Sequence, residues 1–229
     1  MYKPEFIVSK NHRTEGRALT TSFVQRARSK LLSGGLVLLP SDTCYCLAVL
    51  AVDEAARRHV NAILNRPDDP VSIACSSYLQ VHRLVEVDHI VSLLLEHFTP
   101  GPITVVCAAK PEISTYFLER AIGSFDQSIG IRIPDSFIER DIAANTEYAQ
   151  MTVAIRDLNT GEPVQEFERA CEIVGTGIER AGPTGWGAIE ADGFYSTHST
   201  VVRVGGPQKV TLLREGDLPF DDVVSIARS

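Results

Sequence analysis

Three arginines of this chain stand where an apolar, strand-like run gives way to proline or glycine. Arg66 precedes Pro67, Arg132 precedes Ile133 and Pro134, and Arg214 precedes Glu215 and Gly216. A guanidinium fixed at the rim of a sheet can fork onto phosphate or carboxylate oxygens. Each arginine alone also reads as a surface or structural residue. Taken together with the hydroxyls of Thr43, Ser199 and Thr200 at other strand ends, they point to an anion-binding cleft.

The stretch Gly34–Leu47 concentrates this chemistry. A glycine pair opens it, the apolar run Leu36–Leu39 follows, and Pro40 stops the run before Ser41, Asp42, Thr43 and Tyr45. Polar groups at the end of a buried strand are how open α/β sheets build ligand sites. A plain strand and turn is the competing reading. Other chemistries lack their patterns. The six histidines form no HxxxH or HExxH motif, and the five cysteines form no CxxC pair, so a resident metal site has no sequence support. Walker, GxGxxG and GxSxG motifs are absent. Three of the cysteines lie in apolar surroundings and are expected to pack as small hydrophobes.

These residues need a scaffold, and the apolar periodicity supplies one. Strands are expected at Phe6–Val8, Leu36–Leu39, Leu47–Val52, Val71–Cys75, Ile103–Cys107, Ser128–Pro134, Met151–Ile155, Ser199–Val204 and Lys209–Arg214. Helices are expected over Ala18–Leu32, after an Asp53 cap to Leu64, from Gln80, and over His89–Phe98, Phe137–Ala144 and Pro163–Val174. Asn65–Pro70 reads as a stiff loop and Ile113–Ile122 as a mixed segment. The tail Asp217–Ser229 lacks strong periodicity. The result is a single α/β domain over residues 18–216, with a twisted mixed parallel and antiparallel sheet and flanking helices. A lead-in (1–17) precedes it and a tail (217–229) follows.

At 229 residues, 44% hydrophobic and 22% charged, the chain can bury a sizeable core. Its formal charge of −7 disfavours a protein that lives by neutralising nucleic-acid phosphates. The basic run Arg13, Arg17, Arg26, Arg28 and Lys30 reads as a solvated helix face. The N-terminus lacks the apolar stretch of a signal peptide and no run approaches a membrane span, so the cytoplasm is the expected compartment.

The motifs, taken in order, resemble the YrdC family. Gly35–Leu47 is similar to its glycine, apolar run, Pro-Thr-Asp-Thr and Tyr-Gly-Leu signature. Asn65–Pro67 with Pro70–Ser72 resembles its Lys-x-Arg-Pro and Pro-Leu-Ser elements, and Thr99–Thr104 its Trp-Pro-Gly-Pro-Leu-Thr turn. Gly130–Pro134, Ser199–Val202 and Leu213–Gly216 resemble its Gly-x-Arg-x-Pro, Ser-Thr-Val and Arg-x-Gly elements. The resemblance implies a concave, positively lined cavity. It implies a nucleotidyltransferase that makes threonylcarbamoyl-adenylate from threonine, bicarbonate and ATP with magnesium, releasing pyrophosphate. The product serves threonylcarbamoyladenosine modification of tRNA, with tRNA-modification proteins as partners, and the family is also described as binding double-stranded RNA. On this reading Thr43, Tyr45 and Arg132 meet the threonine and its carbamate, while Arg66, Ser199, Thr200 and Arg214 meet the nucleotide.

The chain also departs from the pattern. Leu64 stands for the family's lysine, Ser41 for its first threonine, and Cys46 for its glycine. Arg156, Asp157 and Asn159 are the candidate substitutes for a missing Ser-x-Asn. The alternative implied by these departures is a YciO-like member that binds nucleotide or double-stranded RNA without synthase activity.

Overall fold

The computed structural model describes residues 2–8, 17–66, 72–113, 128–146, 149–191, 194, 198–205 and 209–229. Among the described residues ten strands form one mixed sheet, β1 (Ile7–Val8), β2 (Leu36–Pro40), β3 (Tyr45–Leu50), β4 (Ser72–Ala74), β5 (Ile103–Ala108), β6 (Ser128–Arg132), β7 (Gln150–Ala154), β8 (Trp186–Ile189), β9 (Thr200–Val204) and β10 (Val210–Arg214). Their spatial order is β1-β8-β2-β3-β7-β4-β6-β5-β9-β10. Around them lie α1 (Arg17–Leu32), α2 (Glu54–Leu64), α3 (Tyr78–Leu84), α4 (His89–Phe98), α5 (Phe137–Asn145), α6 (Phe167–Ala181) and α7 (Phe220–Ala227). This is the α/β domain with a mixed sheet that the sequence predicts.

Most expected elements appear within a few residues of their predicted bounds. Pro67–Val71, Arg13 and the segment after Ile113 lie outside the described residues. Local chemistry sets several boundaries. Asp53 caps α2 by accepting from Ala56 N at 2.9 Å, and Asp88 caps α4 in the same way through Val91 N at 2.8 Å. Gly34 ends α1 with φ +76°, the left-handed conformation that glycine adopts freely.

Three elements differ from expectation. α6 continues beyond Val174 through Gly175 and Gly177, because α6 crosses α2 there at close range. A Cβ on Gly177 would lie 2.4 Å from the Ile63 carbonyl oxygen, so glycine permits the contact rather than ending the helix. The tail forms α7, whose Val223 is fully buried and whose Phe220 and Ile226 pack on the core. β8, absent from the predicted strands, has only four residues, yet it joins β1 to β2.

Alternation along the strands separates the two faces of the sheet. Met151, Ile73, Ile131, Val105 and Val202 are register partners across β7, β4, β6, β5 and β9, and all join the main core. One position away, Thr152, Ser72, Gly130, Val106 and Arg203 form the neighbouring row on the other face. At the β2–β3 end that second face carries Val37, Leu39, Ala48 and Leu50, which pack with Val24, Ala27 and Leu31 of α1 and Ile138 and Ile142 of α5. The row from Thr152 to Arg203 lies beyond this apolar cluster, and there the sheet forms the floor of a cavity.

Candidate anion-binding site

The cavity has a volume of about 270 Å³. Small or polar side chains make its floor: Thr104, Ser128, Gly130 and Thr152, with Ser72 between them. Five arginines line it, Arg66, Arg132, Arg156, Arg203 and Arg214, and among the described residues no aspartate or glutamate does. In a chain of net charge −7 this is a strong local reversal of sign.

Each arginine is held by the scaffold. Arg66 follows α2 through Asn65, whose φ of 52° turns the chain sharply, and it donates to the Ala154 carbonyl at 3.2 Å. Arg156 donates to the Gly161 carbonyl at 2.9 Å across a short hairpin. Arg214, at the end of β10, donates to the Ser199 carbonyl at 2.9 Å and to its hydroxyl at 2.8 Å. Burial lowers the Arg214 pKa from its ordinary value, and the nearby charges of Arg156, Arg132 and Arg66 lower it further. An anion in the cavity would relieve that repulsion.

Arg132 is the most enclosed of the five, at 5% exposure. It forms an ion pair with Asp42 in the turn between β2 and β3. Burial opposes its charge, but Asp42 and Glu139 more than offset this and hold it protonated. Its Nε has no hydrogen-bond partner among the described residues. The turn Pro100–Pro102 fixes this region: Gly101 N donates to Ile133 O at 3.0 Å, and Pro102 O accepts from Thr200 N at 2.9 Å. The end of β6, which carries Arg132, is thereby tied to the start of β9, beside Ser199.

The cavity therefore brings together Thr43, Arg66, Arg132, Arg156, Ser199 and Arg214 of the residues singled out from sequence. It does not bring in four others. Tyr45 alternates to the opposite face of β3, where its ring packs on Phe167 and Phe194. Its hydroxyl donates to Ala191 O at 2.9 Å and accepts from Ala191 N at 3.0 Å. Thr200 is fully buried and ties down the following loop, donating to Leu218 O at 2.6 Å and accepting from Gly216 N at 2.9 Å. Asp157 pairs with Arg169 at 2.7 Å and accepts from Asn159 N at 2.8 Å. These contacts keep Asp157 and Asn159 in the hairpin that follows Arg156, and neither lines the cavity. Sequence reasoning missed Arg203, Thr104, Thr152 and His198 as lining residues. A lone arginine at an alternate position in Val201–Val204 was the available signal for Arg203.

The departures also find their places. Leu64 is buried in the main core, so no charge reaches the cavity from that position. Cys46 lines the cavity together with Cys44.

Residues 29–216 match the family described as telomere recombination, Sua5_yciO_yrdC. Among similar proteins, threonylcarbamoyl-AMP synthase of Mus musculus is 32% identical over 199 residues, covering 86% of this chain and 68% of that protein. Threonylcarbamoyl-AMP synthase of Homo sapiens is 29% identical over 203 residues, covering 87% and 69%. The fold is similar to that of Pyrococcus abyssi Sua5 complexed with L-threonine, with TM-score 0.74 at 22% identity, covering 96% of this chain and 60% of that one. It is equally similar to E. coli YciO, with TM-score 0.74 at 16% identity, covering 94% and 97%. The chain thus spans less than two thirds of the Sua5 chain it resembles. With the family match running through the strands and turns that build the cavity, the chain belongs to the Sua5/YciO/YrdC family.

Proposed function

We propose that this protein joins threonine, bicarbonate and ATP into threonylcarbamoyl-adenylate and releases pyrophosphate, supplying an adenosine modification of tRNA in the cytoplasm. The observation that carries this reading is the cavity lined by five arginines and no described carboxylate. A carbamate and a triphosphate are both anions, and their charge must be matched when they leave water. Relatives named threonylcarbamoyl-AMP synthase and the threonine complex of Pyrococcus abyssi Sua5 support the substrate class.

In this reaction the threonine amine and bicarbonate give a carbamate and water. A carbamate oxygen then attacks the α-phosphorus, and the bond to pyrophosphate breaks. The work of the protein is positioning and charge stabilisation. Thr43 and Arg132 face the carbamate in this reading, while Arg66, Arg156, Arg203, Arg214 and Ser199 face the phosphates. Tyr45 and Thr200 support the walls. Magnesium enters as part of the nucleotide substrate, bound by its phosphates; among the described residues no group of three or more His, Cys, Asp or Glu could hold it.

A second reading, nucleotide or double-stranded RNA binding without synthesis, is favoured by the burial of Leu64 and by the contacts that keep Asp157 and Asn159 out of the cavity. Incubation with ATP, bicarbonate and threonine separates the two. Synthesis requires pyrophosphate release that depends on both threonine and bicarbonate, together with an adenylate product. Nucleotide binding in calorimetry without that release supports the second reading.

A further inference from the structure

The proposed reaction leaves two cavity groups unused. Cys44 and Cys46 both line the cavity and both are free thiols. They are only two residues apart at the start of β3, and the intervening Tyr45 turns away to the opposite face. Cys46 Sγ lies 3.8 Å from the Cys44 carbonyl oxygen, and Thr43 Oγ1 lies 3.8 Å from Cys44 Sγ.

Their surroundings make the two thiols unequal. A hydrogen bond from Cys46 lowers the Cys44 pKa against the opposing effect of burial, and Thr43, Arg132 and Arg156 lower it further. That same hydrogen bond, with burial, pushes Cys46 up. Cys44 and Cys46 are themselves buried and pack in the second apolar cluster, but among the cysteines only these two line the cavity. Cys75 and Cys107 lie in the main core, where burial pushes each thiol up to about 12. Cys171, on α6, is likewise pushed up to about 12 by burial. Thiolates beside arginines are the reactive ones, and thiols in apolar surroundings are inert.

We propose that Cys44 and Cys46 form an oxidisable dithiol in the wall of the cavity, reached by hydroperoxide through the opening that admits the anionic ligand. The Cys44 thiolate attacks one oxygen of hydrogen peroxide; the O–O bond breaks and hydroxide leaves, giving Cys44 sulfenic acid. The Cys46 sulfur then attacks the Cys44 sulfur. An S–S bond forms, the S–O bond breaks, and the departing hydroxide leaves as water with the Cys46 proton. Two electrons pass from the two sulfurs to the peroxide, and two thiols plus hydrogen peroxide become one disulfide plus two waters. Bridging these residues would constrain the turn that presents Asp42, the ion-pair partner of Arg132. The proposal concerns the cavity wall and holds for any anion the cavity accepts, so it stands or falls separately from synthase activity.

Peptide mapping after peroxide treatment and alkylation of the denatured protein tests it, because Cys44 and Cys46 share the tryptic fragment 31–57. The expected result is loss of two hydrogens from that fragment while Cys75 and Cys107 remain alkylatable. Inorganic pyrophosphate, at a concentration that calorimetry shows to be saturating, is expected to slow this loss severalfold. Cys46→Ser is expected to stop at a sulfenic acid trapped by dimedone, and Cys44→Ser to leave Cys46 a thiol. Oxidation of Cys44 and Cys46 no faster than Cys75 and Cys107 overturns the dithiol. An unchanged rate in the saturated cavity overturns the route of access.

Discussion

Asp42 and Arg132 form an ion pair that is almost wholly withdrawn from solvent, at 2% and 5% exposure. Burial works against the Asp42 charge, but Arg132, the Asp135 N–H and Ser41 together hold its carboxyl below the usual range. The pair joins the β2–β3 turn to the end of β6, and so connects Thr43 to the arginine face of the cavity. Removing one partner leaves the other charge buried, which costs about 3–5 kcal/mol. Asp42→Asn is therefore expected to lower the free energy of urea unfolding by roughly that amount. The double substitution Asp42→Asn with Arg132→Met should recover most of the loss. A loss below about 1 kcal/mol would mean that Glu139 replaces Asp42 as the counter-ion.

Glu139 should make stability fall as pH rises. It lies on α5, fully buried, with Asp42, Arg132 and Ser41 around it. Burial raises its pKa, Arg132 counters this in part, and Asp42 adds to the rise. The Ser41 hydroxyl lies 3.0 Å from Asp42 Oδ1 and also bonds Glu139. Ser41 has one proton to share between the two carboxyls, and its bond and that of Thr152 oppose the rise at Glu139 without cancelling it. Above the unfolded carboxyl value of about 4.3, the unfolded chain has lost the Glu139 proton and the folded chain keeps it. Stability then declines with rising pH until the folded pKa is passed. Asp42 has the opposite sign, giving stability that is lost as pH falls below about 3.9. Glu139→Gln should flatten the decline on the alkaline side of about 4.3 and leave the acid limb, as read from unfolding free energies across pH.

Tyr45 and Arg214 should separate stability from binding. Tyr45→Phe leaves the buried Ala191 N–H and carbonyl without the hydroxyl they share. The expected cost is about 1–3 kcal/mol of stability, with pyrophosphate affinity unchanged in calorimetry. Arg214→Ala should do the reverse. Losing a charge-assisted contact of about 1.5–3 kcal/mol corresponds to roughly a ten- to hundredfold weaker pyrophosphate dissociation constant. Weakened pyrophosphate binding in Tyr45→Phe would return that residue to the site.

The contrast between these two residues shows what the sequence made legible. Arg132 and Arg214 could be marked because the proline or glycine after each strand shows in the sequence, and such ends face the cavity; Arg66 was marked by Pro67 alone, and it leaves the end of helix α2 rather than a strand. Tyr45 and Thr200 sit in equally recognisable motifs, but a motif does not say which face of a strand its side chains take. Period-two alternation sends Tyr45 to the core and its neighbours Cys44 and Cys46 to the cavity. Arg203 was hidden for the converse reason. It lies inside an apolar run, and its exposure follows from pairing with Val106 in the floor row, a long-range register that local pattern does not encode. The same holds for β8, whose four residues become a strand through their neighbours β1 and β2, and for the end of α6, which runs past Val174 through a glycine that packs on α2.

The hairpin after β7 provides the sharpest test of the site. Arg156, Asp157 and Asn159 were equal candidates from sequence, yet only Arg156 lines the cavity. Its backbone bridges Pro163 across the hairpin, and its side chain is anchored to Gly161 O at 2.9 Å. Asp157 is engaged by Arg169 on α6, with Nε at 2.9 Å and a terminal nitrogen at 2.7 Å. Arg156→Ala should weaken pyrophosphate binding and flatten its salt dependence, because one cation is removed from the cavity. Asn159→Ala should leave affinity and salt dependence unchanged. Asp157→Asn should act only through the hairpin, lowering its protection in hydrogen exchange with little effect on binding. Equal losses of affinity in all three variants would mean that the hairpin folds over the ligand as a unit, and that its contacts with Arg169 open when the cavity fills.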